Sequence, residues 1–322
     1  MAKNTVGIDI GYDHIKLVWV KNGRIAKIAV EACPEKMVKE GRVVSPEAMG
    51  EQLRSMMKKA GIHSNSASYC LNEEVTFVRN VSMPIMTPDQ LQKNLPYEFR
   101  DYITDELKKY AFDYAAISTD EESMDLMAAA TPVELIESVR EMVRKAGMKL
   151  DMAAPSVSAY RNLLRNSKGF AKDKEYCIID LGYQNIRVHV FRGDVHQTTR
   201  VQEFGLSLID DLVSNEYNVD VHLAHTYISS NYDSCCEKPA IASAFQNIVV
   251  ELMRTIHFYQ FSNPESELKD FYCIGGGAKI TNLVSQLEGA IEGTLHSAEE
   301  LLPTGAGEQA AIAAEAAGIA LY

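Results

Sequence analysis

Basic charge is scarce in this chain. Its 322 residues hold 32 Lys and Arg against 44 Asp and Glu, a formal net charge of −12. That argues against a protein whose main business is gripping nucleic acid, because phosphate backbones need a dense basic face. Long apolar runs are missing too: no uncharged stretch reaches the roughly 20 residues needed to span a bilayer. Met1-Ala2-Lys3-Asn4 runs straight into the strand-like Val6-Gly7-Ile8-Asp9-Ile10, so no secretory leader is expected. The six cysteines (Cys33, Cys70, Cys177, Cys235, Cys236 and Cys273) form no CxxC pair and no metal-ligand spacing. Cys177 and Cys273 fall inside apolar strand patterns, where a buried free thiol is expected. These absences read as a cytoplasmic protein with reduced thiols.

What is present is an ordinary globular composition, 46% hydrophobic and 24% charged. The length suits about two domains. The most informative feature is an internal echo. Ile8-Asp9-Ile10-Gly11-Tyr12-Asp13-His14-Ile15-Lys16 is matched by Ile179-Asp180-Leu181-Gly182-Tyr183-Gln184-Asn185-Ile186-Arg187. Ile, Asp, Gly, Tyr and Ile repeat in register, and Lys is matched by Arg. Each copy runs on into a β-like stretch and a tight turn, Lys21-Asn22-Gly23 or Arg192-Gly193-Asp194. One fold unit used twice is therefore expected, with two equivalent Asp-x-Gly turns able to face one cleft.

Between the copies the pattern is mixed α and β. Ser45-Pro46 opens a helix that Gly61 ends. Strands are expected at Ser68 to Leu71, Val75 to Val81, Tyr110 to Ile117 and Met124 to Ala130. Thr87-Pro88-Asp89-Gln90 and Thr131-Pro132-Val133-Glu134 read as capping boxes, and Pro96 should kink or break the first of their helices. Residues 37–130 read as a compact α+β insertion. After the second copy the chain is helical over about 206–269. A short strand, Asp270 to Ile274, then ends at Gly275-Gly276-Gly277, and an alanine-rich helix covers 308–321.

A paired Asp-x-Gly turn has specific chemistry. Glycine lets backbone N–H groups approach phosphate oxygens closely, and concave amide nests bind anions. The carboxylate does not bind phosphate directly but can hold a hydrated Mg²⁺ that does. Two such turns plus a strand ending in three glycines outline a nucleotide cleft. Taken singly, Asp9 and Asp180 are also compatible with plain hairpin turns, and Gly275 to Gly277 with a plain loop.

At these residues the sequence resembles the actin, Hsp70 and sugar-kinase superfamily. Val6 to Leu17 is similar to its first phosphate loop, Cys177 to Val190 to its second, and Ile274 to Ala278 to its adenosine motif. Within it, the early insertion resembles the bacterial FtsA and type IV pilus PilM families. So do Val201 to Leu208 and the long helix with Ile256-His257-Phe258-Tyr259. FtsA ends in a basic amphipathic membrane helix, and the last residues here, Ala316 to Tyr322, have no such basic face, which favours PilM. The resemblance implies an α/β, actin-like (ribonuclease H-like) two-lobed fold with an inserted α+β subdomain in the first lobe. The first lobe would span 1–173, with its core at 1–36 and 131–173. The second would span 174–322, with its last helix packing back on the first.

It further implies ATP and Mg²⁺ held by Asp9, Gly11, Tyr12, Lys16, Asp180, Gly182, Tyr183, Gly275, Gly276 and Gly277, with Asp9 and Asp180 at the metal. The implied role is a cytoplasmic adaptor at the inner membrane that captures the short N-terminus of a PilN-like membrane protein, with other pilus assembly proteins as further partners. It would reach the membrane only through that partner, and would bind no nucleic acid. Two departures bear on this. The residue after each phosphate-loop glycine is usually small, yet here it is Tyr12 and Tyr183; the rings either crowd the phosphates or lie outside and spare the backbone. Ala154 stands where hydrolytic members carry a water-orienting Glu or Gln, so weak or absent ATPase activity is expected. A small-molecule kinase or an actin-like filament former is the alternative reading. His222 and His225 read as solvated, Cys235-Cys236 as loop packing, Asp120-Glu121-Glu122 as a solvated turn. Tyr97, Phe99 and Tyr102 read as either core or a peptide groove.

Overall fold

The computed structural model describes residues 4–303 and 307–321, so Met1 to Lys3 and Tyr322 of the sequence reading lie outside the described residues. The chain divides into two compact units, Met1–Leu163 with Glu315–Tyr322, and Leu164–Ala314.

The first unit opens with a meander of β1 (Asn4–Ile10), β2 (His14–Lys21) and β3 (Arg24–Ala32). A small hairpin, β4 (Val38–Lys39) and β5 (Arg42–Val43), leads to α1 (Pro46–Ala60) and β6 (Ser66–Leu71). Ser45 caps α1 by accepting from Ala48 N, Pro46 presets its first turn, and Gly61 ends it at φ 64°. Then come β7 (Phe77–Pro84), α2 (Pro88–Asn94), β8 (Tyr110–Thr119) and β9 (Ser123–Pro132). The segment closes with α3 (Val133–Lys145), β10 (Lys149–Pro155) and α4 (Ser156–Asn166). The main sheet has the order β10-β6-β1-β2-β3, with β1, β6 and β10 parallel. Met49, Leu53 and Met56 of α1 and Val139, Met142 and Val143 of α3 bury the apolar faces of both helices with this sheet in one core.

The insertion is narrower than the expected 37–130. A separate sheet, β7-β9-β8, has its own core of Val81, Leu91, Leu95, Phe99, Leu126 and neighbours, so the inserted body is residues 77–132. The hydrophobic side of α1 packs with α3, and β6 pairs with β1 and β10, which makes both part of the main layer. The first capping box forms as expected, and α2 gives way at Leu95-Pro96 to a 3₁₀ turn, Leu95–Phe99. The second box does not form. Thr131 is still in β9, its hydroxyl engaged with that of buried Thr76 at 2.8 Å, and α3 starts after Pro132 without a side-chain cap.

The second unit repeats the plan. β11 (Glu175–Leu181), β12 (Ile186–Arg192) and β13 (Val195–Gln202) form the meander. There follow α5 (Ser207–Tyr217), α6 (Val221–Ser230), α7 (Pro239–Ser262) and β14 (Asp270–Ile274). The chain closes with α8 (Thr281–Ala290), β15 (Thr294–His296) and α9 (Ala310–Ala320). Its sheet order, β13-β12-β11-β14-β15, matches that of the first unit strand for strand, with β11, β14 and β15 parallel.

The chain passes between the units within α4 and again within α9. In the first unit the end of α9 lies tight against β1 and α4. A Cβ on Gly7 would stand 1.7 Å from the Ala316 carbonyl oxygen, and one on Gly318 would stand 2.3 Å from that of Ala159. Small residues are obligatory at this seam, since backbone cannot yield as a flexible side chain does. Gly7→Ala is therefore expected to cost about 3 kcal/mol of overpacking, read as a lowered urea midpoint; a midpoint within experimental error of wild type would refute the seam.

Candidate functional site

The two echoing turns become the same hairpin. Antiparallel pairing sets Asp9 opposite Lys16 and Asp180 opposite Arg187, so each carboxylate shares a sheet face with a cation. Lys16 Nζ reaches Asp9 Oδ2 at 2.9 Å, and Arg187 Nη1 reaches Asp180 Oδ2 at 3.5 Å. All four side chains are largely withdrawn from solvent, with 15% the greatest exposure among them. Lys16 also lies over the turn, its Nζ 2.9 Å from where a Cβ on Gly11 would be. Gly11 N closes the turn on His14 O at 3.0 Å.

Three titratable groups beside the pairs are held neutral, while Asp13 of the first turn lies 2.6 Å from His14 Nδ1. Burial, and secondarily the Asp9 charge, push the Tyr69 hydroxyl well above its ordinary range. Burial raises Cys33 to about 11 against the pull of Lys16. Burial, with Asp180 adding, lifts Cys273 to about 12. All six cysteines are free thiols.

Tyr12 is anchored within its own unit. Its hydroxyl donates to Glu74 Oε2 at 2.5 Å and accepts from Gly41 N at 2.8 Å, tying the first turn to the tip of the β4–β5 hairpin. Glu73 and Glu74 were not anticipated. They follow β6, and ligand sites in α/β sheets gather at the carboxyl ends of parallel strands, so the run Asn72-Glu73-Glu74 after a strand was the available signal. Ser156 Oγ, at the start of α4, donates to the Glu73 carboxylate. Ala154 pairs with Cys70 near the end of the same strand.

In the second unit, Gly182 and Tyr183 carbonyls accept from Leu206 N (3.1 Å) and Ser207 N (2.9 Å), which docks the start of α5 on the second turn. The Tyr183 ring meets His225 edge-on at a centroid distance of 6.5 Å. His225 Nδ1 lies 3.1 Å from Asp210, a buried carboxylate the sequence reading missed, so His225 is not the solvated residue expected of it; His222 is exposed. Gly275 has φ +85°, and a Cβ there would meet Asp180 Oδ1 at 2.5 Å; a Cβ on Gly277 would meet that of Leu181 at 2.7 Å. Gly276 is under no such constraint, with only a Leu206 methyl at 3.8 Å. The glycine run therefore lies directly on the second turn. Among the described residues no group of three or more His, Cys, Asp or Glu is placed to hold a metal ion.

The sequence profile described as Type IV pilus assembly protein PilM matches residues 7–299. The chain belongs to that family. No curated protein sequence matches it. A chain of the PilM–PilN type IV pilus biogenesis complex is similar at 21% identity, with 99% of this chain and 98% of that one covered and a TM-score of 0.84. The ethanolamine utilization protein EutJ from Carboxydothermus hydrogenoformans follows at 15% identity, 100% and 90% coverage and a TM-score of 0.62. The archaeal actin homologue Ta0583 shares 12% identity over 98% of each chain, with a TM-score of 0.51. The fold of this family member is thus α/β and actin-like. No described helix is long and apolar enough to cross a membrane.

The buried pairs predict a coupling. Lys16→Met leaves Asp9 charged and alone and should cost about 3 kcal/mol; Asp9→Asn with Lys16→Met should cost much less. Urea unfolding of the full double-mutant cycle reads the difference, and strictly additive losses would show that the pair is not coupled.

Proposed function

We propose that the chain is an ATP-binding adaptor of a type IV pilus or related secretion platform at the inner face of the cell membrane. It holds the short cytoplasmic N-terminus of a PilN-like membrane protein and is located at the membrane through it. The family match over residues 7–299 carries this reading.

For the nucleotide, the supporting geometry is the Lys16 ammonium poised over Gly11. A phosphate entering there replaces Asp9 as the anion at Lys16; in the second hairpin Arg187 is the cation paired with Asp180, while Asn185 is what lies over Gly182. Asp9, released from Lys16 by the phosphate, and Asp180 would hold a hydrated Mg²⁺ through its bound water. Gly275 to Gly277 lie beside the nucleoside. Tyr12 anchors its loop to Glu74 and Gly41, which supports the reading that its ring spares the phosphates; Tyr183 lies at the second loop. With Ala154 in place of a water-orienting group, ATP acts as a structural ligand that stabilises one form by mass action.

For the peptide, the inserted body offers an open-edged sheet, β7-β9-β8, and two exposed rings. Phe99 is core, but Tyr97 and Tyr102 are about half exposed, each under a guanidinium, Arg100 at 4.2 Å and Arg79 at 3.9 Å. A short apolar segment pairs its backbone with a free edge and sets side chains beside such rings.

Calorimetry should show Mg²⁺-ATP binding that falls about tenfold or more in Lys16→Ala, one lost charge-assisted contact. The PilN-like N-terminal peptide should bind wild type equally with ATP and with a non-hydrolysable analogue. Brisk ATP turnover, with peptide binding lost when hydrolysis is blocked, would overturn the adaptor reading.

A further inference from the structure

A bulky ring directly after Gly11 needs a reason, and its surroundings in the first unit supply one. Glu40 and Gly41 form a two-residue turn between the paired Lys39 and Arg42, with φ of +49° and +68°. That turn presents the Gly41 N–H to the Tyr12 hydroxyl at 2.8 Å. It is also pressed against the loop that follows β6: a Cβ on Gly41 would stand 3.0 Å from Glu74 Cβ and 3.2 Å from Asn72 Cγ. The loop is closed on itself, with Asn72 Oδ1 accepting from Glu74 N at 2.9 Å and Asn72 O from Val75 N at 3.2 Å. Tyr12 joins the two by donating to Glu74 Oε2.

This loop is the entry to the inserted body. Val75 and Thr76 run into β7 at Phe77, and Thr131, where β9 leaves the body, meets both of them: its Oγ1 lies 2.8 Å from Thr76 Oγ1 and 3.4 Å from Val75 O. The next residue of the first turn is tied as well, since Asp13 O accepts from Cys33 N at 2.7 Å, just after β3 and on the way to the hairpin. Gly11 is thus followed by two residues that hold the hairpin and the neck of the insertion. We propose that Tyr12 is a positioning residue: through its hydroxyl the first turn fixes the β4–β5 hairpin and residues 72–76, and so couples nucleotide at Gly11 to partner binding on the inserted body. This rests on the nucleotide reading above. A phosphate held at Gly11 and Lys16 confines the turn, the confined turn holds the tyrosine bridge, and the partner meets a neck already in place. Ordering shared by two ligands makes each favour the other, and by linkage the two factors are equal.

Amide hydrogen exchange and calorimetry on the full chain test it. In wild type, Mg²⁺-ATP should slow exchange by about threefold or more at the amides of Gly41 and of residues 74–76, which report local opening. Tyr12→Phe removes only the hydroxyl; it should bind ATP with unchanged affinity and show no such slowing. The PilN-like N-terminal peptide should bind wild type several-fold tighter with Mg²⁺-ATP than without it, and Tyr12→Phe should bring that ratio to one. Glu74→Gln keeps an acceptor oxygen for the hydroxyl and should retain most of the ratio, whereas Glu74→Ala should lose it. A tyrosine that merely packs would shift the melting curve and leave the ratio alone. ATP bound without protection of these amides, or a ratio that Tyr12→Phe leaves intact, overturns the coupling while the nucleotide site stands. Calorimetry that detects no ATP binding to wild type removes both.

Discussion

An ionised carboxylate on the sheltered face of a strand has to be matched by a cation, and this molecule meets that demand the same way twice. Asp9 is answered by Lys16 and Asp180 by Arg187, each across one antiparallel pair of strands. The turn between the partners is then confined to a short loop carrying Gly11 or Gly182. Burial keeps Tyr69, Cys33 and Cys273 neutral beside the pairs. A lysine or arginine beside a glycine turn is a natural place for a phosphate to compete with the carboxylate.

Close backbone approach is the second recurring device. Gly7 and Gly318 admit the end of α9 against β1 and α4, while Gly275 and Gly277 admit the glycine run against Asp180 and Leu181. In both units the glycine is required by what lies opposite it rather than by a turn alone. The contrast with Gly276, which faces nothing closer than a leucine methyl, shows that the three consecutive glycines are not equivalent.

Much of this was legible in the residues. The echo of Ile-Asp-x-Gly-Tyr at a fixed spacing gave two hairpins, and the structure extends it to two five-stranded sheets of identical order. The cap at Ser45, the stop at Gly61 and the break at Pro96 are local chemistry, and they stand where the local chemistry puts them. The stretch read as the insertion, 37–130, takes in α1 and β6 because nothing local along the chain separates them from the elements that follow. Only their packing partners, α3 for the helix and β1 with β10 for the strand, tell which layer they join. Thr131 carried the pattern of a helix cap, but a buried partner hydroxyl on Thr76 held it in the strand.

What the sequence determined by itself is therefore whatever depends on neighbours along the chain: strand alternation, turn glycines, caps, the paired Asp-x-Gly hairpins and the family they signal. Tertiary structure alone decided what depends on residues far apart in sequence. It set Tyr12 against Glu74 and Gly41, Ser156 against Glu73, and His225 against Asp210. It also left Phe258 and Phe261 outside the core of a helix whose other face is fully buried. A hydrogen bond or a buried face has an energy only once its partner is in place, and no local pattern records where a distant partner will stand.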